Sequence, residues 1–212
     1  MAQTGTQAQT GTQPQPGASR QRRFETVVIG GSAGSIDALA VLLEALPASL
    51  RAAIVVVVHL PREKPSLLRR IFEPRCALAL RDAHDKEPLE PGTVYFAPPD
   101  YHVLLDAGPT LALSVDDPVH FSRPSIDVLF ESAADACGDR LLAILLSGAN
   151  ADGAQGLAAV QAAGGATLVQ SPASCLMSFM PEAALARMQP DHVLPPDAMA
   201  ALLQQWHSGR QL

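Results

Sequence analysis

The chain has 212 residues, of which 48% are hydrophobic and 17% charged, a balance that suits a globular protein rather than a disordered one. Its formal charge of −6 argues against a generic nucleic-acid binder, because neutralising phosphates requires a basic face. The longest uncharged segment is interrupted by glycine, glutamine and proline, so no insertion into a membrane is expected. Three widely spaced cysteines without a CxxC motif predict a reducing, cytoplasmic location.

The amino-terminal residues differ in composition from the rest of the chain. Residues 1–23, "MAQTGTQAQTGTQPQPGASRQRR", contain no leucine, isoleucine or valine. Such a segment buries too little apolar surface to offset the entropy lost on ordering, so a disordered Gln/Thr/Gly/Pro-rich tail is expected. Residues 24–212 are expected to form one folded domain.

From Phe24 onward, hydrophobic periodicity predicts alternating strands and helices. Strands are predicted at 26–31, 52–59, 141–148 and 166–170, with three short strands within 92–117 and a hairpin turn at "DAGPT". Helices are predicted at 35–47, 66–75, 125–138, 153–164, 180–188 and 196–208. This order indicates a three-layer α/β/α fold with a mostly parallel, doubly wound sheet and a small antiparallel hairpin.

Three polar side chains follow three predicted strands. Ser32 follows the first strand, His59 follows "AAIVVVV", and Asp152 ends the loop after "LLAILLSG". The carboxyl ends of parallel strands meet at one edge of a sheet, where functional groups gather. A hydroxyl, an imidazole and a carboxylate together suit nucleophilic acyl transfer. The stretch "GGSAG" (30–34) also fits G-x-S-x-G, in which small neighbours leave a serine exposed on a sharp turn.

Structural roles are open for each of these residues. Ser32 or Ser35 can cap the first helix, and Asp152 can cap the helix that follows it. His59 can bond a backbone carbonyl at a strand end. The order Ser, His, Asp also differs from that of α/β-hydrolases, in which the acid precedes the histidine.

Other chemistries fit the sequence less well. The glycines at 30, 31 and 34 do not match the dinucleotide pattern G-x-G-x-x-G, and no Gly-Lys-Ser/Thr is present. Cys175 is interpreted as a small packed hydrophobe rather than a nucleophile. No metal site is expected, because the six histidines are scattered and none is at ligand spacing from a cysteine or another histidine.

From about Phe24 to Met188, the chain resembles the catalytic domain of the chemotaxis receptor protein-glutamate methylesterases, the CheB family. Six blocks in matching order and spacing carry the resemblance: "IGGSAGSIDAL", "VVHLP", "GTVYFAPPDYHV", "SRPSIDVLFESAA", "LLSGANADGAQGL" and "VQSPASCLMSFMPEAAL". The resemblance implies hydrolysis of γ-glutamyl methyl esters on cytoplasmic chemoreceptor helices, with release of methanol, and deamidation of certain receptor glutamines. It also implies a reaction without a metal or organic cofactor.

The resemblance implies a role for each strand-end residue. Ser32 becomes the nucleophile, His59 the general base and Asp152 its orienting acid. The N–H groups near Ala33 and Ala149 become candidates for the oxyanion hole. Arg123, in "SRPS", is a candidate substrate contact, with a structural salt bridge as the equally weighted alternative.

The sequence departs from the family pattern in three respects. The family usually carries a phosphorylatable receiver domain ahead of the esterase, whereas residues 1–23 are interpreted as a tail, so regulation by a partner in trans is the expectation. The usual loop G-M-G-x-D-G reads Gly148-Ala149-Asn150-Ala151-Asp152-Gly153, and Ala33 and Ser35 stand where glycine and often threonine occur. These departures motivate an alternative, a weakly active or inactive partner-binding module in a sensory array.

Overall fold

The computed structural model describes residues 24–61, 65–108 and 110–207, so the interpretation of residues 1–23 lies outside the described residues. The strands are β1 (Thr26–Gly31), β2 (Ala53–Val58), β3 (Ala79–Asp82), β4 (Thr93–Phe96), β5 (His102–Asp106), β6 (Thr110–Ser114), β7 (Leu141–Leu145), β8 (Ala166–Gln170) and β9 (His192–Leu194). The helices are α1 (Ile36–Ala45), α2 (Leu68–Phe72), α3 (Ile126–Cys137), α4 (Ala154–Ala162), α5 (Phe179–Arg187) and α6 (Pro196–His207).

Seven parallel strands form the central sheet, in the order β3-β4-β2-β1-β7-β8-β9. The remaining strands, β5 and β6, form a separate antiparallel hairpin. One face of the sheet packs against α1, α2 and α6, and the other packs against α3, α4, α5 and the hairpin. The predicted three-layer α/β/α class, with a parallel sheet and a small hairpin, is confirmed.

The innermost strands of the sheet are apolar because helices cover both of their faces. All six residues of β2, "AIVVVV", are buried, as are all six of β1. In α1, the predicted apolar stripe is also present, since Leu39, Leu42 and Leu43 have no exposed surface. Among the described residues, no helix combines the length and the apolar character needed to span a membrane.

Two strands that were not predicted are present, and several element boundaries differ from the sequence prediction. The edge strands β3 and β9 have four and three residues and are only partly buried, so neither gives an extended apolar signal. Helix α2 covers only Leu68–Phe72, shorter than the predicted 66–75. Strand β7 also ends three residues earlier than predicted, at Leu145 instead of residue 148, so Leu146, Ser147 and Gly148 belong to the loop that follows it.

The order of strands places a switch point between β1 and β7. The chain runs from β1 to β2, then to the edge strand β3 and back to β4 beside β2; after the hairpin and α3 it crosses to β7 on the other side of β1. Crevices at the carboxyl end of such a switch point are where ligands bind in open α/β sheets. At the opposite end, the ring of Phe24, just before β1, contacts Trp206 near the end of α6, with 5.0 Å between ring centroids.

Candidate active site

The turn from β1 to α1 requires glycine at three positions. A Cβ on Gly30 would lie 2.2 Å from Ile126 Cγ2, and one on Gly31 would lie 2.6 Å from Ser35 Cβ. Gly34 has a φ of +78°, and a Cβ there would lie 2.5 Å from Leu176 Cβ. The glycines therefore allow α3, α1 and the Leu176 segment to pack closely around Ser32.

The backbone of Ser32 is held on both sides. Its N–H donates to the carbonyl of Ser147 at 2.9 Å, and its own carbonyl accepts from the N–H and hydroxyl of Ser35, at 3.0 and 2.7 Å. Ser35 is the N-cap residue of α1 but makes no side-chain cap bond to the helix. Within the described residues, the half-buried Ser32 hydroxyl makes no hydrogen bond, which leaves it available to a substrate.

His59 directly follows β2 and lies beside this turn. Its N–H donates to the carbonyl of Gly31 at 3.1 Å, which continues the pairing of β1 with β2 to the residue before Ser32. Its ring Nε2 lies 2.8 Å from Asp152 Oδ2, and the imidazole is 12% exposed. A carboxylate only accepts hydrogen bonds, so the proton belongs on Nε2, and Nδ1 carries the lone pair of a base.

Asp152 has no exposed surface and accepts four hydrogen bonds. Oδ1 accepts from the Ser125 hydroxyl and the N–H of Asp127, each at 2.9 Å; Oδ2 accepts from the N–H of Ile126 and from His59, each at 2.8 Å. The carboxylate thus binds the amino terminus of α3, where unpaired N–H groups and the helix dipole favour an anion. It does not cap α4, whose N-cap residue is Gly153.

These contacts decide the ionisation of Asp152. Burial acts to raise the pKa of its carboxyl, but the hydrogen bond from His59 and the N–H groups of Asp127 and Ile126 outweigh burial and lower the pKa below its ordinary value. Asp152 is therefore ionised at neutral pH. A buried anion beside Nε2 stabilises the imidazolium that forms when Nδ1 takes a proton.

A second carboxylate lies behind the first. Asp127 Oδ1 accepts the N–H of Gly156 at 2.7 Å, and its Oδ2 lies 3.3 Å from His120 Nε2. Burial raises the pKa of Asp127; the N–H of Gly156 opposes the rise, and the charge of Asp152 adds to it. The surroundings of the two neighbouring carboxyl groups thus lower the pKa of Asp152 and raise the pKa of Asp127.

The residues His120, Asp127 and Asp152 offer ligand atoms within 4.8 Å of one another. Each carboxylate oxygen of Asp152 already accepts two hydrogen bonds. The two oxygens of Asp127 contact the N–H of Gly156 and the imidazole of His120. The cluster is therefore a hydrogen-bond network that supports His59, and its donor pattern does not fit a metal ion.

The candidate oxyanion groups lie on the two loops that flank Ser32. Within the described residues, neither the N–H of Ala33 nor that of Ala149 has an intramolecular acceptor, and both residues are exposed. Asn150 does not have a positive φ, so this loop does not depend on glycine at that position. The assignment of Ala33 and Ala149 to an oxyanion hole remains a prediction.

Ser147 joins the two sides of this site and was not identified from the sequence. It is fully buried, and its hydroxyl lies 2.9 Å from the carbonyl of Ala33 and 3.0 Å from that of Met177. It also accepts the N–H of Met177 at 3.0 Å. Its own N–H donates to Gln170, a buried amide at the end of β8. Its place near the end of the predicted apolar strand 141–148, two residues beyond the observed end of β7, was the only sequence signal for this role.

The guanidinium of Arg123 forms hydrogen bonds with the surrounding loops. Its Nε and one terminal nitrogen donate to Asp100 Oδ1 at 3.0 and 2.8 Å, and the other terminal nitrogen donates to the carbonyls of Val115 and Asp116. These contacts match the salt-bridge alternative weighed from the sequence. A contact between Arg123 and substrate remains a prediction.

Two further residues of the site were missed in the sequence motif that contains Arg123. Ser125 caps α3, accepting the N–H of Val128 while donating to Asp152. Ser122 brings its Oγ to 3.4 Å from His59 Nδ1. Both serines were visible in "SRPS", but only the fold of the loop against His59 and Asp152 gives them a function.

The cysteines are not candidates for the nucleophile, and this includes Cys175, which directly precedes Leu176 of the segment packed around the Ser32 turn. Cys76, Cys137 and Cys175 are all free thiols. Burial, followed by the charge of Glu182, raises the pKa of Cys175 to about 11, so this thiol is protonated and unreactive at neutral pH.

Known proteins share both the sequence and the fold. Residues 27–203 match the family model described as CheB methylesterase. A relative from Leptospira interrogans is 40% identical over 179 residues, covering 84% of this chain and 93% of the relative. A Bordetella parapertussis protein named protein-glutamate methylesterase/protein-glutamine glutaminase is 38% identical over 173 residues, covering 80% of this chain and 49% of that protein. The crystal structure of the Thermotoga maritima CheB methylesterase catalytic domain superposes with a TM-score of 0.81 at 30% identity, covering 85% of this chain and 97% of that one.

Proposed function

Because this chain belongs to the CheB methylesterase family, we propose that it hydrolyses γ-glutamyl methyl esters on the cytoplasmic helices of chemoreceptors, releasing methanol, and deamidates receptor glutamines. One observation carries the proposal. The His59–Asp152 hydrogen bond of 2.8 Å lies at the strand end next to Ser32, whose hydroxyl has no intramolecular partner among the described residues. A serine nucleophile and an oriented base are the requirements of acyl transfer.

The proposed reaction has two halves. In the first, Ser32 Oγ attacks the γ-carbonyl carbon while His59 Nδ1 takes the hydroxyl proton, and the N–H groups of Ala33 and Ala149 stabilise the oxyanion. His59 Nδ1 then gives that proton to the methoxy oxygen, and methanol leaves. In the second half, His59 Nδ1 removes a proton from water, which attacks the acyl group. The bond between Ser32 Oγ and the acyl carbon breaks, His59 Nδ1 returns the proton to Ser32 Oγ, and the product carboxyl group is released. Asp152 stays ionised throughout and stabilises the imidazolium.

Substitution of the nucleophile tests the proposal directly. Purified protein is incubated with membranes that contain receptor labelled on its methyl ester groups, and released methanol is measured. Ser32→Ala should reduce release to background, whereas Ser49→Ala, which removes the hydroxyl that contacts His207 next to the last described helical turn, should not. A Ser32→Ala protein with unchanged methanol release would contradict the proposal.

The inactive alternative, a partner-binding module, is not favoured, because His59 and Asp152 are hydrogen-bonded to each other beside a serine whose hydroxyl has no intramolecular partner among the described residues. A serine-reactive phosphonate gives an independent test. Stoichiometric labelling of Ser32, abolished in His59→Ala, is expected for an enzyme. The absence of labelling, together with intact folding and receptor binding, would support the binding module instead.

The proposal extends to partners and location. We place the reaction in the cytoplasm, where its receptor substrate would be exposed, with residues 24–212 as the catalytic domain. A partner acting in trans is the proposed route of regulation. Turnover of free glutamate methyl ester at rates rivalling those on receptor would favour a small-ester hydrolase over a receptor enzyme.

A further inference from the structure

A strained turn holds Ser122 against the base. Val119 and Ser122 pair across a four-residue turn, with N–H to carbonyl distances of 3.2 and 2.8 Å. The two residues between them, His120 and Phe121, have φ values of +48° and +61°. Two adjacent left-handed residues that are not glycine are energetically costly, and such strain is concentrated at functional sites. We call residues 119–122 the positioning turn.

The positioning turn places one hydroxyl between the base and a loop amide. Ser122 Oγ lies 3.4 Å from His59 Nδ1 and 3.5 Å from Asn150 Nδ2, and it also lies 3.4 Å from the carbonyl of His120. These distances are longer than those of ordinary hydrogen bonds. Catalytic hydrogen bonds of this length commonly shorten once the reacting molecule is bound.

All proton transfers between His59 and the reacting groups use Nδ1, because Nε2 is hydrogen-bonded to Asp152. Besides Ser32 Oγ, two oxygen atoms exchange protons with Nδ1 during the reaction: that of the methanol that departs as the acyl-enzyme forms, and that of the water that attacks afterwards. The methoxy oxygen is held by its bond to the acyl carbon until that bond breaks. The water has no such bond, so it requires contacts that fix its position.

We propose that Ser122, supported by Asn150, binds the water that hydrolyses the acyl-enzyme. The water donates one proton to His59 Nδ1 and its other O–H to Ser122 Oγ, while its oxygen forms the new bond to the acyl carbon. The Ser32 Oγ–acyl bond breaks, and the proton on Nδ1 passes to Ser32 Oγ. Ser122 itself neither gains nor loses a proton. This inference rests on the proposed function and concerns its second half only.

The acyl-enzyme in this reaction is a covalent adduct between the protein and the receptor, and acid quenching preserves it for detection by mass. Ser122→Ala should lengthen the lifetime of this adduct about tenfold, the effect of losing one hydrogen bond in the transition state. It should lower kcat/KM for methanol release by much less than tenfold, because kcat/KM reports acylation. Ser122→Thr, which keeps the hydroxyl, should restore the wild-type lifetime.

Two other results for Ser122→Ala would each overturn the inference. Equal losses in the acylation and deacylation rates of Ser122→Ala would show that Ser122 only orients His59. An unchanged adduct lifetime would show that Ser122 has no part in deacylation. Neither result would affect the proposed function, which fails only if Ser32→Ala continues to release methanol. Ser49→Ala serves as the control for both rates because its hydroxyl contacts His207 and takes no part in the site.

Discussion

The backbone N–H of Ile126 and the imidazole of His59 donate to the same oxygen of Asp152, each at 2.8 Å. The position of the His59 imidazole is therefore fixed through the first turn of α3 as well as through β2. The carboxylate links the segment after β7 to the segment that begins α3. A change at Asp152 should for this reason affect folding and catalysis together.

The first prediction concerns Asp152→Asn. Each carboxylate oxygen accepts one backbone N–H, from Ile126 or Asp127, so either orientation of an amide places its NH₂ against a donor. We expect the free energy of unfolding to fall by about 1–3 kcal/mol and kcat to fall about 10⁴-fold. Chemical denaturation and the methanol-release assay measure the two effects.

Asp135→Asn provides the matched control, because Asp135 lies exposed on the same helix, α3. It should leave both quantities unchanged. An Asp152→Asn protein with wild-type stability would refute the hydrogen-bond assignment at the amino terminus of α3.

A second prediction concerns the pH dependence of stability at Asp127. Burial raises the pKa of this carboxyl in the folded protein, so its contribution to stability is fully present below the unfolded pKa of about 4 and is lost as pH rises through the folded value. Asparagine does not titrate and can still accept the N–H of Gly156. The free energy of unfolding of Asp127→Asn should therefore rise relative to wild type between pH 4 and pH 7.

Denaturation at several pH values measures this difference. The charges of His120, Asp152 and Glu131 all act on Asp127, so His120→Gln is tested in parallel to separate the imidazole from the carboxyl. A difference that falls as pH rises would have the wrong sign and would contradict the assignment.

The third prediction separates backbone strain from steric contact at Gly34. Gly34→Ala and Gly108→Ala both introduce a side chain at positive φ, which costs about 1–2 kcal/mol. Only the Cβ at residue 34 would also meet Leu176, at 2.5 Å, whereas among the described residues, chain neighbours aside, no atom lies within 4 Å of a Cβ at residue 108. Gly34→Ala should thus lose about 1–3 kcal/mol more and should also lower kcat. Equal losses of stability would show that the contact with Leu176 relaxes without cost.

The fourth prediction concerns Ser147, which connects the Ser32 turn with Met177. Ser147→Ala removes the hydroxyl that contacts the Ala33 carbonyl, so we expect about 1 kcal/mol lower stability and a roughly tenfold lower kcat with little change in KM. Ser114→Ala, which removes a hydroxyl paired with the exposed Asp116, is the control. A loss confined to stability would mean that Ser147 is structural only.

The sequence predicted the part of the site that depends on the sheet. Ser32 and His59 each follow an apolar strand, and parallel pairing necessarily brings such strand ends together. Asp152 was found in the same way, but its binding to α3 was not. That contact joins residues 25 and 26 positions apart through a loop whose path no local pattern encodes.

The remaining omissions have related causes. The edge strands β3 and β9 are short and half exposed, so their residues lack the apolar run that identified β2. Ser122 gains its place from two left-handed residues, His120 and Phe121, neither of which is a residue type that signals such a turn. Backbone geometry of this kind is set by the packing of the whole domain.

The contact between Phe24 and Trp206 has a practical consequence for engineering. Because α6 runs back along the sheet, residues near both ends of the described chain meet at the edge opposite Ser32, with ring centroids 5.0 Å apart. A fluorescent protein or an affinity tag fused beyond either residue would emerge behind the catalytic crevice and leave it open. The same proximity allows a short linker to join the two ends, with new termini opened at the exposed hairpin turn beside Gly108.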